Sequence, residues 1–420
     1  MSAKKILLLC TTFPPTPGIG GRRWAKFSKY LSKQGYQIHV AAPGKLSAEI
    51  SEWNEDIKNP NIIRHEIHFS FRKLFLSPKN IFSKILRKGL TKAFSFTRYS
   101  ERFVTSLPNK KLWVQIQNLI QKENISTIIV SGDPFLSYYA CLLKNTTRCK
   151  VILDYRDLWN DHSYYKTHYN LTKKQQTFFE EAENFALNSA DLIFTVDNHL
   201  KDTISERIAD KKNDKIVVVS NGFDEDDFLG INTVNKENKK IKLYFSGNIA
   251  SDLNKIVLHF ASCFAELKLQ QPKIYEQFEI TIKGKMDADL FATLTSLQLT
   301  NLKAENNFVS LHEYLSEVAQ SDMGIIILSK EYANSYTTKF SDYLYLNKRI
   351  LVLGHKGEFS DFLQDNNCGE VFTKYDNYTF FQELFKKDFS SPKYNQSLKE
   401  SFNVKHLTEQ IIPKIEGLTA

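Results

Sequence analysis

Gly18, Gly20 and Gly21 stand between the apolar run "KILLLC" and a stretch with helical spacing, and Arg22 and Arg23 follow at once. Glycines after a strand and before a helix let the backbone turn sharply and bring its N–H groups close to a ligand at the helix N-terminus, where the dipole favours phosphate. The two arginines add fixed positive charge, while Pro14, Pro15 and Pro17 stiffen the approach. Anion binding is one chemistry this pattern can do; a plain Gly-rich turn uses the same residues. The spacing is not G-x-G-x-x-G, and no acidic ribose partner ends "YQIHVAA", which excludes the usual dinucleotide fingerprint. Further along, Asp133 follows Gly132 at a strand end, and Asp154, Arg156 and Asp157 crowd the end of another. Ligands bind at strand carboxyl ends in open α/β sheets. A carboxylate there can orient a hydroxyl or take its proton, and Arg156 can pair with a phosphate or simply lock the adjacent acids.

Other chemistries find no support. The ten histidines form no His-x-x-x-His pair or Cys/His cluster, so no metal site is expected. His39, His259 and His312 lie in apolar segments and read as core or rim residues; His162 and His168, in "NDHSYYKTHYN", fit a site-lining loop or a lid equally well. The serines lack a G-x-S-x-G turn, so no nucleophilic triad emerges.

The elements that must position these residues repeat one theme. "KILLLC", "YQIHVAA", "ISTIIVSG", "CKVILDY" and "ADLIFTV" read as short buried strands, most of them followed by helical spacing. Alternating β and α implies parallel sheet. After "VVVSNGFDEDDF" the periodicity lapses through Leu229 to Lys240, a linker, and then restarts with "KIKLYFSG", "FEITIKG", "NFVSLH", "MGIIILS", "RILVLG" and "GEVF". Two Rossmann-like domains are the economical reading, spanning 1–225 and 240–403, with Asn221 and Gly222 turning into an interdomain hinge that extends to Lys240.

One segment, about 69–102, departs from the theme. Arg72, Lys73, Lys79, Lys84, Arg87, Lys88, Lys92 and Arg98 are interleaved with six phenylalanines. At about 100° per residue, Phe82, Ile85, Leu86, Leu90, Ala93 and Phe96 fall on one side. Lys84, Arg87 and Lys88 lie opposite, and Lys92 sits at the boundary. A basic amphipathic helix in a membrane interface has this layout, with Lys84, Arg87, Lys88 and Lys92 facing the lipid headgroups. A helix packed on its own domain with a solvated basic face has it too.

The chain has 420 residues, enough for a large core in two domains, and its net charge of +9 suits an anionic partner. No recognition module for nucleic acid is visible. Five cysteines without Cys-x-x-Cys spacing fit a reducing compartment, and no apolar run reaches the roughly 18 residues of a spanning helix. The expected location is the cytoplasm, free or peripheral on the inner face of the membrane.

In order, the Gly20–Gly21 loop, "L..QGYQIHV", "SGDPFLSYYACLL", "VILDYRDLW", "ADLIFTV" and "VVVSNGFDEDDF" resemble the N-terminal half of family 4 glycosyltransferases of the GT-B fold. "LYFSGNI", "ITIKGK", "VSLHEYL", "SDMGIIIL" and "TTKFSDYLYLNKRILVLG" continue the likeness, and "DYRDLW" after "SGDPF" resembles the bacterial members that build surface polysaccharides. The resemblance implies two Rossmann-like domains across a cleft, a nucleotide-sugar donor (a UDP- or GDP-sugar), retention of anomeric configuration, and no cofactor or catalytic metal. The acceptor would be a glycan or a lipid-linked molecule. The last helix, within 404–418, would cross back onto the first domain.

Such a reaction builds negative charge on the departing diphosphate, so cations and N–H dipoles must be aimed at it. On this resemblance Lys339 is the leading candidate, at the start of "TTKFSDYLYL", with Thr337 or Thr338 as cap. Asp342 aligns with the family's second acidic residue, which accepts from the ribose. The first acid is replaced: the corresponding position is Asn334, with Glu331 three positions earlier. Asn248, after Gly247, stands where a basic residue is expected, leaving Lys255, and Lys285 after Gly284, as substitute cations. Gly20, Gly21 and Thr338 complete the donor set. Asp133 and Asp157 are the expected acceptor-side catalytic acids, with Arg22 and Arg156 binding the acceptor. The altered first acid keeps a second class open, a non-catalytic GT-B binding subunit. A nucleotide-sugar epimerase is the weaker third reading, because it needs further acids and a histidine around the sugar.

Overall fold

The computed structural model describes residues 4–44, 51–69, 71–106, 110–132, 134–157, 159–160, 171–209, 213–232, 240–249, 251–307 and 309–418. The chain divides into two compact units, one made of Met1–Ser220 with Val404–Ala420 and the other of Asn221–Asn403. The first holds a seven-stranded parallel sheet in the order β3-β2-β1-β4-β5-β6-β7. Its strands are β1 (Lys5–Cys10), β2 (Gln37–Pro43), β3 (Ile62–Ile67), β4 (Thr127–Ser131), β5 (Lys150–Tyr155), β6 (Leu192–Thr195) and β7 (Ile216–Val218). The second holds a six-stranded parallel sheet, β10-β9-β8-β11-β12-β13. Its strands are β8 (Ile241–Ser246), β9 (Phe278–Lys283), β10 (Leu302–Glu305), β11 (Met323–Ile327), β12 (Arg349–Leu353) and β13 (Gly369–Phe372). Two doubly wound parallel sheets, one in each unit, are the two Rossmann-like domains that the sequence led one to expect.

Alternation along each strand builds a core on both faces, as a sheet covered by helices requires. Leu7 and Leu9 of β1 enter one cluster, while Ile6, Leu8 and Cys10 enter the other. In the second unit Leu243 and Phe245 face one cluster and Tyr244 the opposite one. All five cysteines are buried and unpaired, and burial pushes the Cys10 thiol up to about 12.

Two strands differ from the sequence reading. β3, "IIRHEI", carries charges because it is the sheet's edge and only half buried. The strand expected at "NFVSLH" lies earlier, at Leu302–Glu305, also an edge. Ser310 instead caps the Leu311–Gln320 helix by accepting from the Glu313 N–H.

Residues just after Ser220 belong to the second unit: Phe223 and Phe228 pack on Tyr345, and the Phe223 N–H donates to the Phe402 carbonyl at 2.8 Å. Of the polar stretch read as a linker, 233–239 lies outside the described residues. The Val404–Glu416 helix packs on the Arg22–Lys33 helix, with Leu407, Ile411 and Ile415 buried beside Trp24, Phe27 and Leu31. At its end Glu416 accepts from the Tyr36 hydroxyl at 2.7 Å and pairs with Lys4.

The basic segment does form a helix, Ile81–Ser95, opened by a capping box between Asn80 and Ser83. Phe94 turns inward against Phe71 and Phe75, and Leu90 packs on the same buried cluster. Ile81, Phe82, Ile85, Leu86 and, just past the end, Phe96 point into solvent, with Phe82 74% and Phe96 75% exposed. Leu90 therefore leaves the outward stripe in which its spacing had put it, because the helix needs an inward anchor. Lys84, Lys88 and Lys92 are exposed, whereas Arg87 is partly covered and reaches Glu101 at 3.4 Å. No described helix is long and apolar enough to cross a membrane.

Candidate functional site

Each unit gathers polar groups at the carboxyl ends of its strands, the edge where parallel sheets hold ligands. In the second unit the gathering starts at Gly247, directly after β8. Its φ of +150° lies where side chains are rarely accommodated, and a Cβ there would stand 2.8 Å from Lys339 Nζ. Gly284, directly after β9, is needed for the same reason of approach: its Cβ would lie 2.2 Å from the Gly247 carbonyl. Bonds from Gly247 N–H to Lys283 O and from Ile249 N–H to Lys285 O, at 3.0 and 2.9 Å, hold the two loops side by side.

Lys339 sits in the first turn of the Thr338–Tyr345 helix. Its ammonium lies 5.3 Å from the centre of the Phe245 ring, and among the described residues it has no hydrogen bond or ion pair. Burial holds its pKa below the ordinary lysine value, with the Asp342 carboxylate pulling the other way. The helix start is open too. Thr337 takes the extended N-cap backbone but, among the described residues, its side chain makes no capping bond, which corrects the expected Thr cap, and its buried hydroxyl has no partner there. First-turn N–H groups without a side-chain cap, a partly buried cation and a bare glycine backbone together form a receptor for an anion.

The other expected donor residues are distributed around this point. Asp342, one turn further into the same helix, is buried and accepts from the Tyr314 hydroxyl at 3.3 Å. Asn248 and Lys285 are exposed on the two loops, and Lys255 is exposed at the start of the Asn254–Gln270 helix. Asn334 also serves the fold, since its Oδ1 accepts from the Glu358 N–H at 3.0 Å at the start of the Glu358–Asp365 helix. Gly20 and Gly21 belong to the first unit, in the turn before the Arg22–Lys33 helix, where a Cβ on either would make only ordinary contacts of 3.5 Å or more.

In the first unit the organising group is Asp154, at the end of β5 and fully enclosed. It accepts from Arg23 Nε at 3.0 Å, Trp24 Nε1 at 2.7 Å and Ser131 Oγ at 2.8 Å, and Arg156 Nε stands 3.4 Å away. Arg23 directs its remaining donors to the carbonyls of Val219 and Ser220, both at 2.8 Å. The network ties the ends of β4 and β5 to the segment after β7 and to the first helix, which makes the Asp154–arginine pairing structural. Arg22 is buried rather than open to a ligand. Arg156 and Asp157 are partly exposed at the rim. Asp133, His162 and His168 lie outside the described residues.

A second buried charge was not read from the sequence at all. Glu183 accepts from the Tyr155 hydroxyl and the Asn160 amide, and from Arg207 at 2.9 Å. Its only signal was an acid on the inner face of the Lys173–Ser189 helix. No cluster among the described residues has the composition of a metal site.

Residues 20–227 match the model of Glycosyltransferase Family 4. No curated protein matches the sequence significantly. Solved structures of similar fold include a UDP-forming α,α-trehalose-phosphate synthase from Burkholderia xenovorans, at 11% identity and a TM-score of 0.62, covering 99% of this chain and 100% of that one. A UDP-GlcNAc 2-epimerase from Methanocaldococcus jannaschii is 11% identical, with a TM-score of 0.56 and 99% of both chains covered. WaaG, described as a glycosyltransferase involved in lipopolysaccharide biosynthesis, is 12% identical with a TM-score of 0.53, covering 97% of this chain and 95% of that one.

Proposed function

The chain belongs to Glycosyltransferase Family 4, and we propose that it moves a sugar from a nucleotide-sugar donor to a glycan or lipid-linked acceptor, with retention, in cell-surface polysaccharide synthesis. One observation carries the donor half of this reading: Lys339 holds a partly buried ammonium over the bare backbone of Gly247, at an uncapped helix start, without an anionic partner among the described residues. A nucleoside diphosphate supplies the missing charge. As the bond from the anomeric carbon to the diphosphate breaks, negative charge grows on the phosphate oxygens, and Lys339 with the first-turn N–H groups stabilises it without reorganising. Asp342 accepts from the ribose, and Asn248, Lys255 and Lys285 line the approach. On the acceptor side Asp157, with Asp133, orients the incoming hydroxyl or takes its proton, and Arg156 pairs with an anionic acceptor group.

The Ile81–Ser95 helix is the membrane-facing part of the proposal. Six of the thirteen large apolar side chains exposed among the described residues fall between Leu76 and Phe96, a concentration that suits the acyl boundary of a bilayer. Lys84, Lys88 and Lys92 add about 1 kcal/mol each near an anionic surface. Arg87, expected in the same role, is partly committed to Glu101. Phe82→Ser with Ile85→Ser should release the protein from anionic vesicles in a sedimentation assay.

The test of the donor site is thermal stability against a panel of nucleoside diphosphates and nucleotide sugars. A ligand at about 100 times its dissociation constant adds roughly 2.7 kcal/mol; the shift should be selective for one nucleotide and absent in Lys339→Ala. A shift with no nucleotide overturns the donor assignment. The bond that Asn334 accepts from the Glu358 N–H favours one alternative, a binding subunit that keeps the nucleotide without transferring sugar. Nucleotide binding with no sugar turnover, hydrolytic or to any acceptor, would select it.

A further inference from the structure

Cations gather a second time in the first unit, at the carboxyl ends of β2 and β3, where neither the Asp154 network nor the glycine loop uses them. The last pair of the β2–β3 register is Pro43 with Ile67, so Gly44 and His68 leave the sheet side by side. There the surface closes into a cavity of about 270 Å³. Gly44 lies against the Glu66 carboxylate in its wall, where a Cβ would stand 2.3 Å from Oε1 and push that exposed side chain aside.

Among the described residues three cations line this cavity, Arg72, Lys73 and Lys79, against one carboxylate. Glu66 already stands 3.7 Å from Arg64, which offsets its charge. Arg72 is held in orientation: it donates to the Thr11 carbonyl at 2.9 Å, and its guanidinium lies 5.9 Å from the centre of the Phe69 ring. Lys73 and Lys79 are exposed and have no ion pair among the described residues. The helix that follows contributes little to this charge, because its start is capped by Asn80. The space is smaller than the roughly 300–1,000 Å³ of sites that enclose a drug-sized ligand, so it suits one compact charged group. An oriented guanidinium flanked by two exposed ammonium groups matches the multiple oxygens and double charge of a phosphate.

We propose that this cavity binds a phosphate group, as a phosphomonoester or diphosphate, carried by the molecule that the first unit receives. The phosphate assignment stands on the cavity alone; calling its bearer the glycosyl acceptor rests on the function proposed above. Ser77 and Lys79 lead straight into the exposed apolar helix, so a phosphate held here is presented beside the surface proposed to meet lipid. The bearer is then either a lipid phosphate or a soluble sugar phosphate.

Titration calorimetry of the full chain with inorganic pyrophosphate tests this, in a Lys339→Ala background that removes the donor-side cation. Lys73→Gln with Lys79→Gln should weaken binding at least tenfold. Both side chains are exposed, and an unchanged circular dichroism spectrum verifies that the variant folds. Undiminished binding in that variant, or no pyrophosphate binding in the Lys339→Ala chain, overturns the proposal. Competition then identifies the source. Displacement of pyrophosphate by phosphatidic acid in phosphatidylcholine vesicles indicates a lipid phosphate, displacement by glucose 1-phosphate a soluble one, and displacement by neither overturns the assignment. The nucleotide thermal shift of the parent chain is read separately, so either site can fail without the other.

Discussion

Arg23 in the first unit and Lys339 in the second both hold charge away from bulk water at the carboxyl edge of a parallel sheet, yet their surroundings are opposite. Arg23 is matched by Asp154 and two backbone carbonyls. Lys339 faces an aromatic ring and a glycine, with its nearest titratable influence, Asp342, on its own helix. A desolvated cation whose donors are all satisfied fixes a structure; one whose donors are left open destabilises the empty protein until a ligand offsets it. The two residues look alike in sequence, and their partners separate scaffold from site.

The contrast breaks most visibly at Arg23. Arg23→Met leaves Asp154 buried without its main counter-charge and should cost about 3–5 kcal/mol, read as a lower midpoint in urea, while nucleotide binding by the folded fraction persists. Lys339→Met should act the other way. Binding of the selected nucleoside diphosphate should fall by about 1.5–3 kcal/mol, the worth of hydrogen bonds to a charged group, with thermal stability unchanged or raised because a poorly solvated ammonium is gone. Gly247→Ala should show both effects in miniature, at about 1–3 kcal/mol for the forced backbone, with weaker nucleotide binding as the new methyl displaces Lys339. Loss of stability without loss of binding there would detach Gly247 from the site.

The smallest expected effect lies at the far edge of the first sheet. His39 on β2 and His65 on β3 stack with ring nitrogens 3.1 Å apart, near Gln37, Glu123 and Lys5. Burial lowers both pKa values below the ordinary 6.5; the neighbouring ring and Lys5 push His39 the same way, Lys122 does so for His65, and Glu123 opposes in both. The unfolded chain therefore binds protons that the folded pair resists. Stability is complete above about pH 7.5 and declines as pH falls through 6.5 toward the lowered values. Urea midpoints across that range should drop in the parent and flatten in His65→Leu.

The parallel sheets were legible because central strands such as "ILLLC" and "GIIIL" are apolar on both faces, which no surface helix would be. β3 and β10 escaped since an edge strand keeps charges on its open side, as Arg64 and Glu66 do. Lys339 stood out through the order of motifs around it. The pivotal role of Asp154 did not, because three charges within four residues at the end of β5 give no hint of which one Arg23, far earlier in the chain, will reach. Spacing put Asn334 at the position of the first acid but could not show that its Oδ1 also meets the Glu358 N–H. Leu90 misled for a related reason: the apolar stripe was real, but only the packing of Phe94 on Phe71 and Phe75 decides which edge of it turns inward.

The Val404–Glu416 helix gives the chain an order of assembly. The first unit is synthesised through Ser220 with the groove beside Trp24, Phe27 and Leu31 still empty, and it waits for the whole second unit to emerge before Leu407, Ile411 and Ile415 arrive to fill it. Each of those side chains is worth about 1.5–3 kcal/mol when buried, together a sum comparable to the net stability of a typical domain. A nascent chain halted before Val404 would thus expose a sticky seam, and ribosome-bound chaperones should engage it until the last turn is made.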